Sequence, residues 1–147
     1  MTVENTLTAF IDTSIAGMTT ASDYNYDYAD VNEYKPDDKT YPNVKSNYMV
    51  AEAQEVIVAN KYTANLNAEF MVTVDNSADV DVQLDKVVED FKRLFDDQHS
   101  NLQTNGMIWE RYIGKEKTYR LNKYRPGSVL IRWLIRYRVD MDDPSST

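Results

Sequence analysis

The feature that most constrains this fold is the last long apolar segment, residues 128–140, in which apolar and polar side chains alternate. The apolar positions are Val129, Ile131, Trp133, Ile135, Tyr137 and Val139, and the polar ones are Arg132, Arg136, Arg138 and Asp140. This period of two predicts a β-strand with one face in a core. Leu130 and Leu134 interrupt the polar face, so we expect a neighbouring element or subunit to cover that face at one end and water to cover the other.

The chain of 147 residues has the length of a single domain, residues 1–147. A domain of this size buries roughly two-thirds of its unfolded surface in one core. The absence of cysteine excludes disulfides, thiol catalysis and the common structural zinc sites. There is no basic leader before an apolar run, and no apolar segment approaches the roughly 20 residues that cross a bilayer. We therefore expect a soluble protein made without a secretion signal.

Charge is distributed unevenly along the chain. The net charge is -8, but residues 107–139 carry nine Lys or Arg against two Glu. That segment is therefore at +7, and the rest of the chain is at -15. The acidic total argues against general affinity for nucleic acid or anionic membrane. The asymmetry favours self-complementary association, with a solvated basic strand face as the alternative.

The first 43 residues read as a helix followed by a loop. Apolar residues at helical spacing predict an amphipathic helix over residues 2–16, and Gly17 is a plausible stop. Residues 18–43 are polar and rich in Asp, Pro and Tyr, which predicts a long loop. Tyr24, Tyr26 and Tyr28 alternate with polar residues there. Their rings either offer a contact surface to another protein or fasten the loop to its own domain.

The middle of the chain predicts two strands and a second helix. The pattern of residues 44–58 fits either a strand or a helix, and we interpret this segment as a strand. Residues 62–74 alternate more clearly. Helical spacing of apolar residues predicts a helix over residues 80–96, after a turn that offers N-cap side chains. The polar face assigned to that helix consists of Asp85, Lys86, Glu89, Asp90, Lys92 and Arg93.

A basic hairpin is expected near the C-terminus. Residues 107–113 begin a strand that pairs with the final one, and residues 115–127 form a basic connection that could project from the body. Residues 140–147 are expected to be a flexible tail. The fold class is then α+β: one domain with a mainly antiparallel sheet packed by two α-helices and a long basic β-hairpin.

No motif indicates catalysis or a cofactor, so we expect a protein that is not an enzyme. A calcium loop beginning at Asp75 would need Gly at position 80 and Glu at position 86, where this chain has Val80 and Lys86. His99 is the single histidine and has no thiol partner for a zinc site, so a loop or helix-end position is expected for it. No metal or cofactor site is predicted. A small carboxylate or metal-dependent enzyme would need acids that converge in space, which a sequence does not reveal.

The layout of the chain resembles that of the tail terminator proteins of long-tailed bacteriophages. The segments that carry the resemblance are Tyr41 and Pro42 entering the first strand, the strand 66–74, the acidic start and amphipathic body of 80–95, and the closing strand 129–140 with its Arg-Tyr-Arg-Val-Asp end. The resemblance extends from residue 41 to residue 140, about two-thirds of the chain. The Tyr- and Asp-rich segment 19–40 is longer than the family pattern, which leaves other neck or head-completion proteins as an alternative.

The resemblance implies a subunit of a closed, commonly six-fold ring in the virion, made in the host cytoplasm. Such a ring caps the tail tube, docks to the head connector and lets DNA pass through its lumen without specific binding. The candidate subunit-interface residues are Arg111, Lys115, Lys117, Arg120, Lys123, Arg125, Tyr24, Tyr26 and Tyr28. A nucleic-acid-binding module that uses the basic segment 111–125, with its interleaved tyrosines, is the rival hypothesis.

Overall fold

Two amphipathic helices form where the apolar spacing predicts them, and each begins at a capped first turn. The computed structural model describes residues 2–28, 30–32, 42–58, 61–74, 79–118 and 127–140. In helix α1 (Val3–Ala16), the amide of Asn5 donates to the Thr2 hydroxyl at 3.1 Å. In helix α2 (Val80–Asp97), the amides of Asp81 and Val82 donate to the Asp79 carboxylate. These caps satisfy amides that lack a partner within the helix.

A third, short helix, α3 (His99–Thr104), follows α2 and leads into the sheet through Gly106. Gly106 has a φ of +112°, a conformation that side chains with a Cβ rarely adopt. A Cβ at this position would also lie 2.5 Å from Cγ1 of Val3. Glycine therefore lets the turn pack directly against the start of α1.

Five strands form one sheet in the order β1-β2-β3-β5-β4. The strands are β1 (Asp30–Val31), β2 (Asn43–Val58), β3 (Lys61–Thr73), β4 (Met107–Thr118) and β5 (Ser128–Asp140). The β1 and β2 strands are parallel, and every other pair is antiparallel. β5, which has the clearest alternation in the sequence, lies between β3 and β4. The predicted α+β class with a mainly antiparallel sheet is confirmed.

The core lies between the helices and one face of the sheet, which we call the inner face. The buried side chains of β5 on this face are Val129, Ile131, Trp133, Ile135, Tyr137 and Val139. The apolar stripes of α1 and α2 complete the core. Phe95 of α2 stacks on Trp133 with ring centroids 4.1 Å apart, and Phe70 of β3 lies 5.3 Å from Phe91.

A polar contact fastens α1 to the sheet. Asp12 accepts hydrogen bonds from the hydroxyls of Ser46 at 2.8 Å and Tyr48 at 2.7 Å, both on β2. Burial and the neighbouring Asp12 carboxylate raise the pKa of the Tyr48 phenol. Since the phenol keeps its proton at neutral pH, it remains a donor to Asp12.

Two predictions about irregular segments are corrected. Segment 18–43 contains a 3-10 turn (Thr20–Ser22) and strand β1, so it is not a loop throughout. β4 continues to Thr118, so Lys115 and Lys117 belong to a paired strand and not to a projecting connection. The middle of that connection and the tail after residue 140 lie outside the described residues.

Candidate interaction surface

The face of the sheet opposite the core, which we call the outer face, packs against none of the described helices. The strand registers arrange its side chains in rows across β2, β3, β5 and β4. The rows read Lys45, Met71, Leu130, Glu116; then Asn47, Glu69, Arg132, Gly114; then Met49, Asn67, Leu134, Arg111; then Ala51, Asn65, Arg136, Trp109. Arg138 lies opposite Thr63 beyond the last row. The polar positions of β5 therefore share a surface with residues from three other strands.

Two arginines in the centre of the outer face are held by neighbours on both sides. Arg132 lies 3.5 Å from a carboxylate oxygen of Glu69 and 3.3 Å from one of Glu116. Arg136 donates to Oδ1 of Asn65 at 3.0 Å, and its guanidinium lies 5.0 Å from the centre of the Trp109 ring. Side chains that are already ordered lose less conformational entropy when a partner binds.

The outer face has the composition of a protein interface. Met49 and Met71 are 52 % and 37 % exposed. Leu130 is half-buried beside Arg132, and Leu134 is half-buried between Arg132 and Arg136. Arg, Met and Trp are enriched at interfaces, whereas Lys, Glu and Asp are depleted there. Lys45 is the one lysine in these rows. A surface of this kind is suited to contact another protein.

The structure separates the predicted basic residues. Arg111 lies on the outer face and is exposed. Lys115 and Lys117 are on the inner side of β4, where they reach the first turns of α2 in the same chain. Arg120, Lys123 and Arg125 lie outside the described residues.

Lys117 joins β4 to α2 through two carboxylates. Its ammonium lies 2.7 Å from Asp81 and also contacts Asp85, while Lys115 lies 3.5 Å from Asp85. The hydrogen bonds with Asp81 and Asp85 raise the pKa of the Lys117 ammonium. The hydrogen bond with Lys117 lowers the pKa of Asp85. Both lysines therefore neutralise carboxylates at the start of α2 in the same chain.

In the first loop, the segment that follows α1, Tyr24 and Tyr28 contact α2. The hydroxyl of Tyr24 donates to Asp97 at 2.9 Å, and Tyr26 is half-buried. Tyr28 is completely buried, and its ring packs edge-on against Phe91. The hypothesis that Tyr28 belongs to a contact surface is therefore wrong, because no part of its ring is accessible. For Tyr24 and Tyr28, the alternative role as loop anchors fits these contacts.

Asp90 is the acceptor at the centre of this anchor. It receives hydrogen bonds from the Tyr28 hydroxyl at 2.7 Å and from the backbone and side-chain amides of Asn25. The polar pattern of α2 assigned Asp90 to the solvent, but it is 2 % exposed. Burial raises the pKa of the Asp90 carboxyl. Burial and the hydrogen bond to Asp97 raise the pKa of Tyr24 to about 12.

An open groove of about 650 Å³ runs between the last turns of α2 and β4. Its floor contains Phe95, Tyr112 and Trp133, and Lys92 lies 4.4 Å from the centre of the Tyr112 ring. Glu110 accepts a hydrogen bond from the indole of Trp133 and lies 3.4 Å from Nδ1 of His99, which begins α3. Glu110 is thus engaged by two neighbours. Within the described residues, no group of three or more potential metal ligands comes together.

Comparison with known proteins gives no assignment. No protein-family model matches the chain, and no curated protein matches it significantly. No helix within the described ranges is long and apolar enough to cross a membrane.

Sequence reasoning missed most of the outer face. It identified Arg111 from the basic run and recognised Leu130 and Leu134 as interruptions of a polar face. It did not identify Trp109 as the neighbour of Arg136 or Met71 as the neighbour of Leu130, because their proximity depends on strand order and register.

Proposed function

We propose that this chain is a structural assembly protein that associates through the outer face of its sheet. More specifically, we propose a ring-forming tail terminator at the head-tail junction of a bacteriophage. There it would cap the tail tube and dock to the head connector. Its localisation would be the virion, after synthesis in the host cytoplasm.

The observation that carries the proposal is the outer face itself. Four strands of this face carry Leu, Met, Trp and ordered Arg side chains, and no described helix covers them. Exposed apolar patches of this kind mark interaction sites more often than surfaces that face only solvent. The central residues of the outer face, Leu134 and Arg136, have interface character and lie on β5, between β3 and β4. Association would remove Leu134, Met49 and Met71 from water.

The order of elements supports the more specific part of the proposal. The resemblance to tail terminators rests on a strand, an amphipathic helix and a closing strand, and these occupy 61–73, 80–97 and 128–140. An acidic protein around a DNA channel would also repel phosphates, so that DNA passes without binding. The partners proposed are further copies in a six-fold ring, the tail tube protein and the head connector protein. Another neck or head-completion protein would have the same kind of contacts.

Nucleic-acid binding is the second candidate function, and one contact favours it. The guanidinium of Arg136 beside the Trp109 ring offers a cation and an aromatic face, the two features that single-stranded nucleic acids use. The basic residues Lys115 and Lys117 do not contribute to such a surface, because Asp81 and Asp85 neutralise them. The acidic body also disfavours this candidate.

The first experiment is the mass of the purified protein by light scattering, across protein concentration and at low and high salt. The proposal predicts a discrete species near six times the chain mass of 17.0 kDa. A monomer under every condition would contradict a self-assembling ring. Salt-sensitive binding to DNA by a monomer would favour the second candidate.

A pair of variants assigns the assembly to the outer face. Leu134→Asp places a charge at the centre of that face and should abolish the larger species. Val50→Asp is the matched control, because Val50 is also a partly exposed apolar residue but lies on the inner side of β2, opposite the buried Leu66. If both variants assembled like the original chain, the outer face would not be the contact surface.

A further inference from the structure

We infer that the outer face of one copy contacts the acidic helical layer of a second copy, so that copies associate head to tail. The helical layer is defined as residues 2–32 and 79–106, which contain α1, α2 and α3. This inference rests on the proposed function and names the surface that the outer face recognises.

The outer face carries positive charge that the side chains described by the structure do not neutralise. The rows of this face, together with Arg138, contain five basic residues and two acidic ones. Glu69 and Glu116 are both used by Arg132. Among the described side chains, Arg111, Arg136 and Arg138 have no carboxylate at ion-pair distance. Within the described part of the chain, the charges of three guanidinium groups are therefore not balanced by a carboxylate.

The helical layer carries the opposite charge. It contains twelve acidic residues, of which all but the buried Asp30 and Asp90 reach the surface, and three basic ones, Lys86, Lys92 and Arg93. Arg93 already lies 3.6 Å from Asp97. Glu89 and Asp96 are exposed on α2, and neither forms an ion pair with a described residue. Val82, which is 46 % exposed on the same helix, adds an apolar contact.

Charge decides between the ways in which two copies can meet. Two outer faces brought together would oppose arginines with arginines, and two helical layers would oppose carboxylates with carboxylates. Like charges juxtaposed across an interface cost several kcal/mol in general. The contact between an outer face and a helical layer pairs opposite charges. Such a contact is heterologous, and it produces a ring if the rotation between copies closes, or an open filament if it does not.

The basic groups that the fold has already paired do not enter this contact. Lys115 and Lys117 are held by Asp81 and Asp85 on the inner side of β4. They therefore reduce the negative charge at the start of α2. The acidic surface that remains for a second copy lies further along α2, at Glu89 and Asp96.

The test uses two charge-reversed chains. The first carries Arg111→Glu and Arg138→Glu on the outer face, at exposed positions. The second carries Glu89→Lys and Asp96→Lys on α2, where neither residue caps the helix. Each is measured alone and in a 1:1 mixture by light scattering at low salt, with circular dichroism and a thermal melt to establish that each chain is folded.

The expected result is complementation. Each variant alone should associate about tenfold more weakly or worse, because like charges then oppose each other at the reversed residues. The mixture should recover the original assembly, since the reversed outer face of one chain can pair with the reversed α2 of the other. High salt should weaken the original and the mixed assemblies alike.

Three outcomes would overturn the inference. If the α2 variant alone assembles like the original chain while the outer-face variant does not, the outer face meets some other surface. If the mixture does not recover assembly although both chains fold, the two faces are not partners. If the original chain remains a monomer at low salt and binds duplex or single-stranded DNA through Arg111 and Arg138, the outer face serves nucleic acid.

The masses measured by light scattering also distinguish a failure of this inference from a failure of the proposed function. A ladder of dimers, trimers and longer species that obeys the complementation rule would support head-to-tail contact and contradict a closed ring. A discrete six-fold species that ignores both charge reversals would support the ring and contradict the contact surfaces inferred here.

Discussion

The two faces of the sheet differ in how far the rest of the same chain covers their side chains. On the inner face, Trp133 is covered by Phe95, and Ile135 is fully buried within the same chain. On the outer face, Leu134 lies between two arginines, and Met49 is half exposed. Both faces come from the same strands, with side chains alternating between them. One face of β5 therefore completes the core of the domain, whereas the other is not covered by the described helices and is the surface that we propose for association.

The strongest way to test this difference is a matched pair of truncations. Phe95→Ala should lower the free energy of unfolding by about 3–5 kcal/mol, because it removes a buried ring and leaves a cavity beside Trp133. Leu134→Ala should cost the isolated chain only about 1 kcal/mol, but it should weaken assembly. Urea denaturation of dilute protein measures the first effect, and light scattering measures the second.

Equal losses of stability for the two truncations would show that the outer face is also part of the core. A Leu134→Ala chain that assembles normally would remove the proposed role of that face.

A smaller effect is expected at Asp90, which anchors the first loop to the helical side of the sheet. Asp90→Asn should lower the free energy of unfolding by about 1–3 kcal/mol, because one acceptor oxygen for Asn25 and Tyr28 is lost. The pH dependence is more specific. The pKa of Asp90 is raised in the folded chain. The stability that Asp90 contributes is therefore fully present below the ordinary pKa of about 4 and is lost as pH rises through the pKa of the folded chain.

The measurement is the difference in unfolding free energy between the original chain and Asp90→Asn from acid to neutral pH. This difference should fall as pH rises and then become constant. A difference that rises with pH would mean that the hydrogen bonds from Asn25 and Tyr28 outweigh burial.

The smallest effect concerns Lys117, which belongs to the inner side of β4. Lys117→Met should lower stability slightly and less than Asp90→Asn does, because exposed ion pairs contribute little. The loss should shrink at high salt. Since the pKa of Lys117 is raised, its contribution is present throughout neutral pH and is lost only in strong alkali.

Lys117→Met should leave assembly unchanged in light scattering, in contrast to Arg111→Glu. If Lys117→Met abolished assembly without unfolding the chain, Lys117 would have to contact a partner as the basic run suggested.

Periodicity predicted the elements because it is a local property of the sequence. β5 occupies 128–140 as expected, and α2 begins at Val80 as expected. Strand order, the parallel pairing of β1 and the contact between Arg136 and Trp109 depend on residues far apart in the chain. Periodicity does not contain that information.

The same limit explains the errors in individual residues. Asp90 falls among charged positions of α2, and only the packing of the first loop buries it. Lys117 belongs to the basic run, but the register of β4 turns it toward Asp81. Composition locates the basic residues in the sequence but does not distinguish the charges that the fold neutralises from those that it leaves unpaired.

The most direct test of the central claim is the oxidation of individual methionines by dilute peroxide, followed by mass spectrometry. Met49 and Met71 are exposed on the outer face, whereas Met18 and Met107 are buried in the core. If the outer face mediates assembly, Met49 and Met71 should oxidise quickly in dilute monomer and several times more slowly at assembling concentration. Met18 and Met107 should oxidise slowly in both. Equal oxidation rates of Met49 and Met71 in the monomer and in the assembly would contradict the account.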